Sequence, residues 1–331
     1  NSSTLDGAWN RFYSGMSADI NVLVDQNENT DADLRFHVAA SKAMKGHHLM
    51  LLVDFLGDIP WSEALNPLEF PNPNVDDDAA VYTAALMLLD ESKTLFQQLK
   101  GDGFDTAPQT VTDFFYGGSV DSWIKLVNTL RIRHALTSGD ISRFNGLISE
   151  GNFISSTADD FQFNFGEQQL NPNTRHPDYN ADYTTSGANI YQSNWLMETM
   201  LNEGGTSDPR IRYYFYRQTD ETPGAGGVEP DEERLACSLA QPPQHYIDGG
   251  FTYCSVPNGY WGRSHGNDEG TPPDNFFRTA VGVYPAGGRF DDNSFGTVGL
   301  GLGGGGAGIE PIIMSSYVYF WQGYMADVYG S

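Results

Sequence analysis

Three stretches in the first third of this chain repeat their apolar side chains at the spacing of one face of an α-helix. Trp9, Phe12, Tyr13, Met16, Ile20, Leu23 and Val24 do so first, at i, i+3, i+4, i+7, i+11, i+14 and i+15. Phe36, Ala39, Ala40, Ala43, His47, Met50 and Leu51 repeat the pattern, and Val81, Ala84, Ala85, Leu88, Ser92, Leu95, Phe96 and Leu99 give it again. A strand turns successive side chains to opposite faces, so this period excludes a sheet here. The stretches also carry end signals. Gly57, Asp58 and Pro60 stop the second, and Asp76, Asp77 and Asp78 put negative charge at the positively polarised start of the third. Ser119 is placed to cap a fourth helix, with Asp121 in its first turn. Alanines on the seams let neighbouring helices approach closely, and packing is expected to bury Trp9, Ala40, Ala85, Leu88 and Trp123. The helix starts do not follow an even repeat of about 34 residues, so periodicity alone says only bundle or solenoid.

Beyond residue 202 the character changes. Gly and Pro crowd residues 222–227, 271–274 and 300–308, and aromatics are scattered through polar sequence. Residues 202–311 therefore read as loop-rich, with short strands around 212–217 and 279–284. Short helices are expected around 141–149 and 190–201, and Phe161, Phe163 and Phe165 alternate as a small strand does. Residues 299–308 read as a flexible glycine tract that lacks the strand–GxGxxG–helix setting of a phosphate site. A late helix over 312–328 carries Tyr317, Phe320, Trp321, Tyr324 and Val328 on one face.

The charge balance excludes some partners. Lys and Arg number 18 against 43 Asp and Glu in 331 residues, a net charge of −25. Nucleic acid and anionic lipid both need cationic neutralisation, so neither is expected. No run of about 18 apolar residues is present to span a bilayer. Catalytic signatures are missing too: the histidines are dispersed, His47-His48 has no HExxH arrangement, and there is no GxSxG. Charged residues are only 18%, and Gly, Tyr and Phe are abundant, as in an exported protein; Cys237 and Cys254 lie in the loop-rich part, where export and their spacing favour a disulfide over two free thiols.

Two segments carry a family resemblance. Residues 56–65 read LGDIPWSEAL, with Gly57, Asp58, Ile59 and Pro60 in a turn after a helix. Residues 113–136 read DFFYGGSVDSWIKLVNTLRIRHAL, in which Tyr116, Gly117 and Gly118 lead into Trp123, Lys125, Asn128, Thr129, Leu130, Arg131 and Arg133. Both, in this order, resemble recurrent segments of the SusD/RagB family, the surface lipoproteins that serve nutrient uptake in Bacteroidetes. The resemblance implies a mostly α fold of tetratricopeptide-like helix pairs, one SusD-like domain over 1–331 with its helical part at 8–136. The loop-rich insertion would face the ligand. It also implies a binding protein rather than an enzyme, on the outer face of the cell outer membrane and lipid-anchored through a cysteine outside this chain. There it would act as the lid of a SusC-like TonB-dependent β-barrel transporter and capture an oligosaccharide or peptide ligand. A helical scaffold that binds another protein, with no small ligand, is the alternative.

Residues 260–274 hold the leading candidate site. Tyr260 and Trp261 are adjacent aromatics followed by Arg263 and His265, a set that suits a flat sugar face with polar groups for its hydroxyls. The competing role for Trp261 is to anchor a long loop. No cofactor is required, and calcium is a possible one: Asn267, Asp268 and Glu269, and also Asp291, Asp292 and Asn293, are oxygen-rich and glycine-flanked, without EF-hand spacing.

Overall fold

The structure, a computed structural model, describes residues 2–104, 111–202, 206–221, 256–263 and 273–330. Its helices are α1 (Ser2–Asn10), α2 (Ala18–Asn29), α3 (Arg35–Leu56), α4 (Asp78–Gly101), α5 (Val120–Ser138), α6 (Ile141–Glu150), α7 (Pro177–Asp182), α8 (Asn194–Asn202), α9 (Ile211–Tyr214) and α10 (Ser315–Tyr329). Short strands are β1 (Phe161–Asn164), β2 (Gln192–Ser193), β3 (Phe215–Tyr216), β4 (Gly262–Arg263), β5 (Ala280–Val281) and β6 (Ile309–Ile313). Contacts divide the chain into two compact units, residues 1–161 with 312–331, and residues 162–311.

The first unit is built from helix pairs. The Ser92 hydroxyl donates to the Ala39 carbonyl at 2.7 Å, and a side chain at Gly46 would meet the Ala85 carbonyl at 3.0 Å. The rising α3 numbers meet falling α4 numbers, so the two run antiparallel, and the seam is narrow because its residues are small. α5 is the central element: it packs on α3, α4, α6 and α10 and is buried on most of its circumference. Ser119 accepts from the Ser122 amide at its N-terminus, as the sequence indicates. At the start of α4, Asp77 accepts from the Ala79 amide and Asp58 from the Asp78 amide, so the Gly-Asp-Ile-Pro turn also caps the next helix. Exposed Asp58 and Asp77 thus have a local structural use.

Two expectations about helix faces change. Between α1 and α2 the chain forms a π-helix over Arg11–Ser17. Its wider turn rotates the face, so Phe12, Tyr13, Ser17 and Ile20 are buried while Trp9 and Met16 are half-buried. On α10 the buried residues are Ser315, Val318 and Met325, with Trp321 half-buried. Tyr317, Phe320, Tyr324 and Val328 point outward, and Phe320 is 78% exposed. The slimmer side of this helix fits the core. Of the residues expected to be buried, Ala85 and Trp123 are fully enclosed, whereas Trp9, Ala40 and Leu88 sit half-buried at the margin.

The second unit has little regular structure. β3 and β5 pair antiparallel, Phe215 opposite Val281, where strands are expected, although Ile211–Tyr214 is a helical turn. β2 and β4 pair in parallel, and β1 pairs with β6. Residues 299–308 are a packed tract rather than a flexible one. Gly303 has φ +68°, and a Cβ on it would lie 2.3 Å from the Gly288 carbonyl. The Tyr179 hydroxyl donates to Leu302 at 2.8 Å, and the Gly306 amide to Gly287 at 3.1 Å. Close backbone approach requires the glycines.

Candidate functional site

The motif that carries the family resemblance has structural work at each polar position. Asp113 accepts from the Phe115 amide (3.0 Å), the Gly118 amide (3.0 Å) and the Trp123 indole (2.8 Å), which ties the aromatic turn to α5. Tyr116 donates to the Asp159 carbonyl, and Lys125 pairs with the Asp159 carboxylate at 2.5 Å. Asn128 donates to the Asn152 carbonyl, and Thr129 accepts from the Ile154 amide. Arg131 pairs with Asp90 at 2.8 Å. Arg133 reaches Asp54 at 2.7 Å and donates to His47 Nδ1 at 3.3 Å. His47 is therefore an acceptor in the core; burial first, then the Arg133 and His48 charges, push it down to about 3. These residues fix a scaffold.

In the second unit the Tyr260–Trp261 expectation is corrected. Tyr260 is 4% exposed and Trp261 3%. Tyr260 lies in a cluster with Met197, Ile211, Phe215 and Val256, with the Arg217 guanidinium 4.9 Å over its ring. Trp261 stacks on Phe277 at 4.9 Å, its amide donates to Thr279 Oγ1, and its indole donates to the Glu221 carbonyl. A stacking platform needs an open ring face; both faces here are committed to anchoring the loop. Arg263 lies 4.7 Å over the Tyr191 ring. His265, Asn267, Asp268, Glu269, Cys237 and Cys254 lie outside the described residues.

Buried ion pairs hold the neighbouring loops. Arg217 donates to both Asp291 oxygens (2.6 and 3.2 Å), to the Asn258 carbonyl (2.9 Å) and to Asn293. Asp291 is fully buried in this contact, so Arg217 clamps the Asp291–Asn293 segment. Arg278 pairs with Asp274 at 2.6 Å, covers the Tyr191 ring and donates to the Asn189 carbonyl. Asp182 accepts from the Ile190 and Val281 amides, and burial lifts its carboxyl to about 6.

On this frame opens a cleft of about 570 Å³ beside α8 and α9. Met200 and Tyr214 form apolar walls, Thr199 and Ser207 bring hydroxyls, and Asp208 and Arg210 form the charged rim. Arg210 donates to Asp208 at 2.6 Å and holds that carboxyl below its ordinary range. Apolar walls with a few polar groups are the chemistry of a neutral polar ligand such as a sugar. Sequence reasoning missed this cleft: its residues span 196–214 without a motif, and only the fold gathers them.

Comparison with known proteins then gives the context. The family model SusD-like, described as "Starch-binding associating with outer membrane", matches residues 2–233. A SusD homolog from Bacteroides vulgatus aligns with TM-score 0.57 and 15% identity, covering 96% of this chain and 52% of that one. A chitin-binding SusD homolog from Flavobacterium johnsoniae gives 0.56 and 16%, covering 96% and 53%. A SusD homolog from Bacteroides uniformis gives 0.56 and 18%, covering 97% and 54%. The chain thus spans about half the length of the solved relatives it matches, which share its fold. A search of curated proteins finds no match.

Proposed function

The chain belongs to the SusD-like family, and from that membership we propose that it is a surface glycan-binding protein that captures oligosaccharide for import. The family match over residues 2–233, under a description of starch binding at the outer membrane, is the observation that carries this reading. The relative from Flavobacterium johnsoniae, described as chitin-binding, supports a sugar over a peptide ligand. In this reading the protein binds without catalysis, is held to the membrane by a lipid anchor, and covers a SusC-like TonB-dependent transporter. No helix among the described residues is long and apolar enough to cross a membrane.

Two apolar grooves of the first unit support the partner part. One is lined by Trp9, Phe12, Leu51 and Phe55, the other by Trp9, Tyr13, Leu65 and Phe70. A transporter-docked protein needs apolar surface of this kind. The test has two arms. Calorimetric titration with malto- and chito-oligosaccharides is expected to give binding, and gentle solubilisation of native membranes is expected to retain a large β-barrel partner. Absence of binding to every neutral glycan would sink the ligand reading, and isolation as a free monomer would sink the partner reading.

A further inference from the structure

The chain has five lysines, all in the first unit. Four of them meet a carboxylate: Lys42 pairs with Glu91 at 2.5 Å, Lys93 with Glu150 at 3.8 Å, Lys100 with Asp121 at 2.5 Å and Lys125 with Asp159 at 2.5 Å. Lys45 is the exception. In a chain of 43 acids it has no carboxylate and no hydrogen-bond partner among the described residues, and at 7% exposure it is the buried one of the five. Its ammonium lies 5.1 Å over the Trp61 ring. We propose that Lys45 is a covalent reaction site for small aldehydes, its amine condensing with the carbonyl to an imine.

Burial strips an ammonium of hydration, and an opposite charge normally offsets that cost. None does so here. Asp76, on the stretch that joins the Trp61 turn to α4, is taken up by the Trp61 amide (2.7 Å), the Ser62 amide (3.0 Å) and the Ser62 hydroxyl (2.6 Å). Asp58 is taken up by the Asp78 amide. Lys42, one turn earlier on α3, adds a like charge; burial first and then that charge hold the Lys45 amine below its ordinary 10.5. Burial also holds Lys93 down, but Glu150 and Asp90 favour its charged form. The Trp61 face attracts an ammonium more weakly than a carboxylate does, so it returns only part of the lost hydration. A desolvated lysine of this kind holds more neutral, nucleophilic amine at pH 7 than an exposed one. The Nζ atom keeps contact with solvent, through which a small reagent reaches it. In the reaction the nitrogen lone pair forms a C–N bond to the aldehyde carbon, and the carbonyl oxygen takes a proton from nitrogen. The resulting hydroxyl leaves as water with the second nitrogen proton, which leaves a C=N bond. An imine can stay uncharged against the Trp61 ring, where the ammonium cannot.

The test treats the whole chain at pH 7 with acetaldehyde and cyanoborohydride, which delivers hydride to the imine carbon and fixes each adduct as an ethylamine. Peptide mass spectrometry then reads the early rate at every lysine. Exposure alone would rank Lys100 first, since its side chain is 55% exposed. Chemistry ranks Lys45 first. Each tenfold gain in the neutral nucleophile costs only about threefold in intrinsic nucleophilicity, on the scale known for thiols, so Lys45 is expected to be ethylated about threefold or more faster than Lys100. In urea the burial is gone, and the two rates are expected to converge. A native Lys45 rate at or below that of Lys100 overturns the proposal. So does a preference for Lys45 that survives in urea, because its neighbours in sequence, and not the fold, would then produce it.

Discussion

His47 and Asp182 show how burial sets the charge of single groups, with opposite consequences. In the fold His47 takes a proton only near pH 3, against an ordinary value of 6.5, because burial and then Arg133 and His48 oppose the charge. The unfolded chain holds more protons between those values, so this group makes stability fall as pH drops through that window. Asp182 runs the other way. Burial lifts it from 3.8 to about 6, the native state holds the extra proton in between, and its contribution falls as pH rises through that interval. His47→Gln is expected to flatten the acid limb of urea midpoints measured from pH 6.5 down to 4, by up to about 1.4 kcal/mol per pH unit. An unchanged limb would mean His47 is not kept neutral by the core. Asp113 makes a second residue-scale case. Three donors converge on its carboxylate, so Asp113→Ala is expected to cost about 2–4 kcal/mol in chemical denaturation.

At the scale of elements, what decides is whether a close approach is filled or kept open. Gly46 lets α3 lie on α4; a larger side chain there meets the Ala85 carbonyl and the Leu89 side chain at 3.0–3.2 Å. Gly46→Leu is expected to destabilise the first unit by about 1–3 kcal/mol or more, read from thermal melts. Trp261 is the corresponding anchor in the second unit. Trp261→Ala should cost about 3–5 kcal/mol of stability and leave sugar affinity of the folded protein unchanged; a selective loss of affinity would return Trp261 to the ligand surface. The helices α3 and α4 were legible from their apolar period together with the stop after α3 and the acidic start of α4, and α5 from its Ser119 cap. The π-helix was not, since Arg11–Ser17 has the same apolar spacing a plain α-helix would show. The outward face of α10 was not legible for a related reason: apolar residues surround much of that helix, and only packing chooses the side. Tyr260 and Trp261 stood out in the sequence as an aromatic pair, but aromatic pairs are equally the material of a loop anchor. Burial was needed to separate the two uses.

For the whole molecule the governing quantity is charge. With 43 acids against 18 bases the folded chain repels itself, and the ion pairs described above do not remove that imbalance. Salt screens self-repulsion: the screening length shrinks from about 10 Å at 0.1 M to about 3 Å at 1 M. The melting temperature is therefore expected to rise as sodium chloride is raised over that range. Binding of an uncharged oligosaccharide transfers no net charge to the protein, and stacking and hydroxyl contacts are short-ranged. Its dissociation constant is expected to change by less than about twofold over the same range, because screening acts on charges and not on those contacts. An acidic polysaccharide would behave differently, since the same field repels it at low salt and relents as salt rises. Titrating malto-oligosaccharide and a uronic-acid oligosaccharide at both salt concentrations separates the cases. Affinity for the neutral sugar that moved with ionic strength as steeply as affinity for the acidic one would show that charge, rather than an uncharged surface of rings and hydroxyls, recognises the ligand.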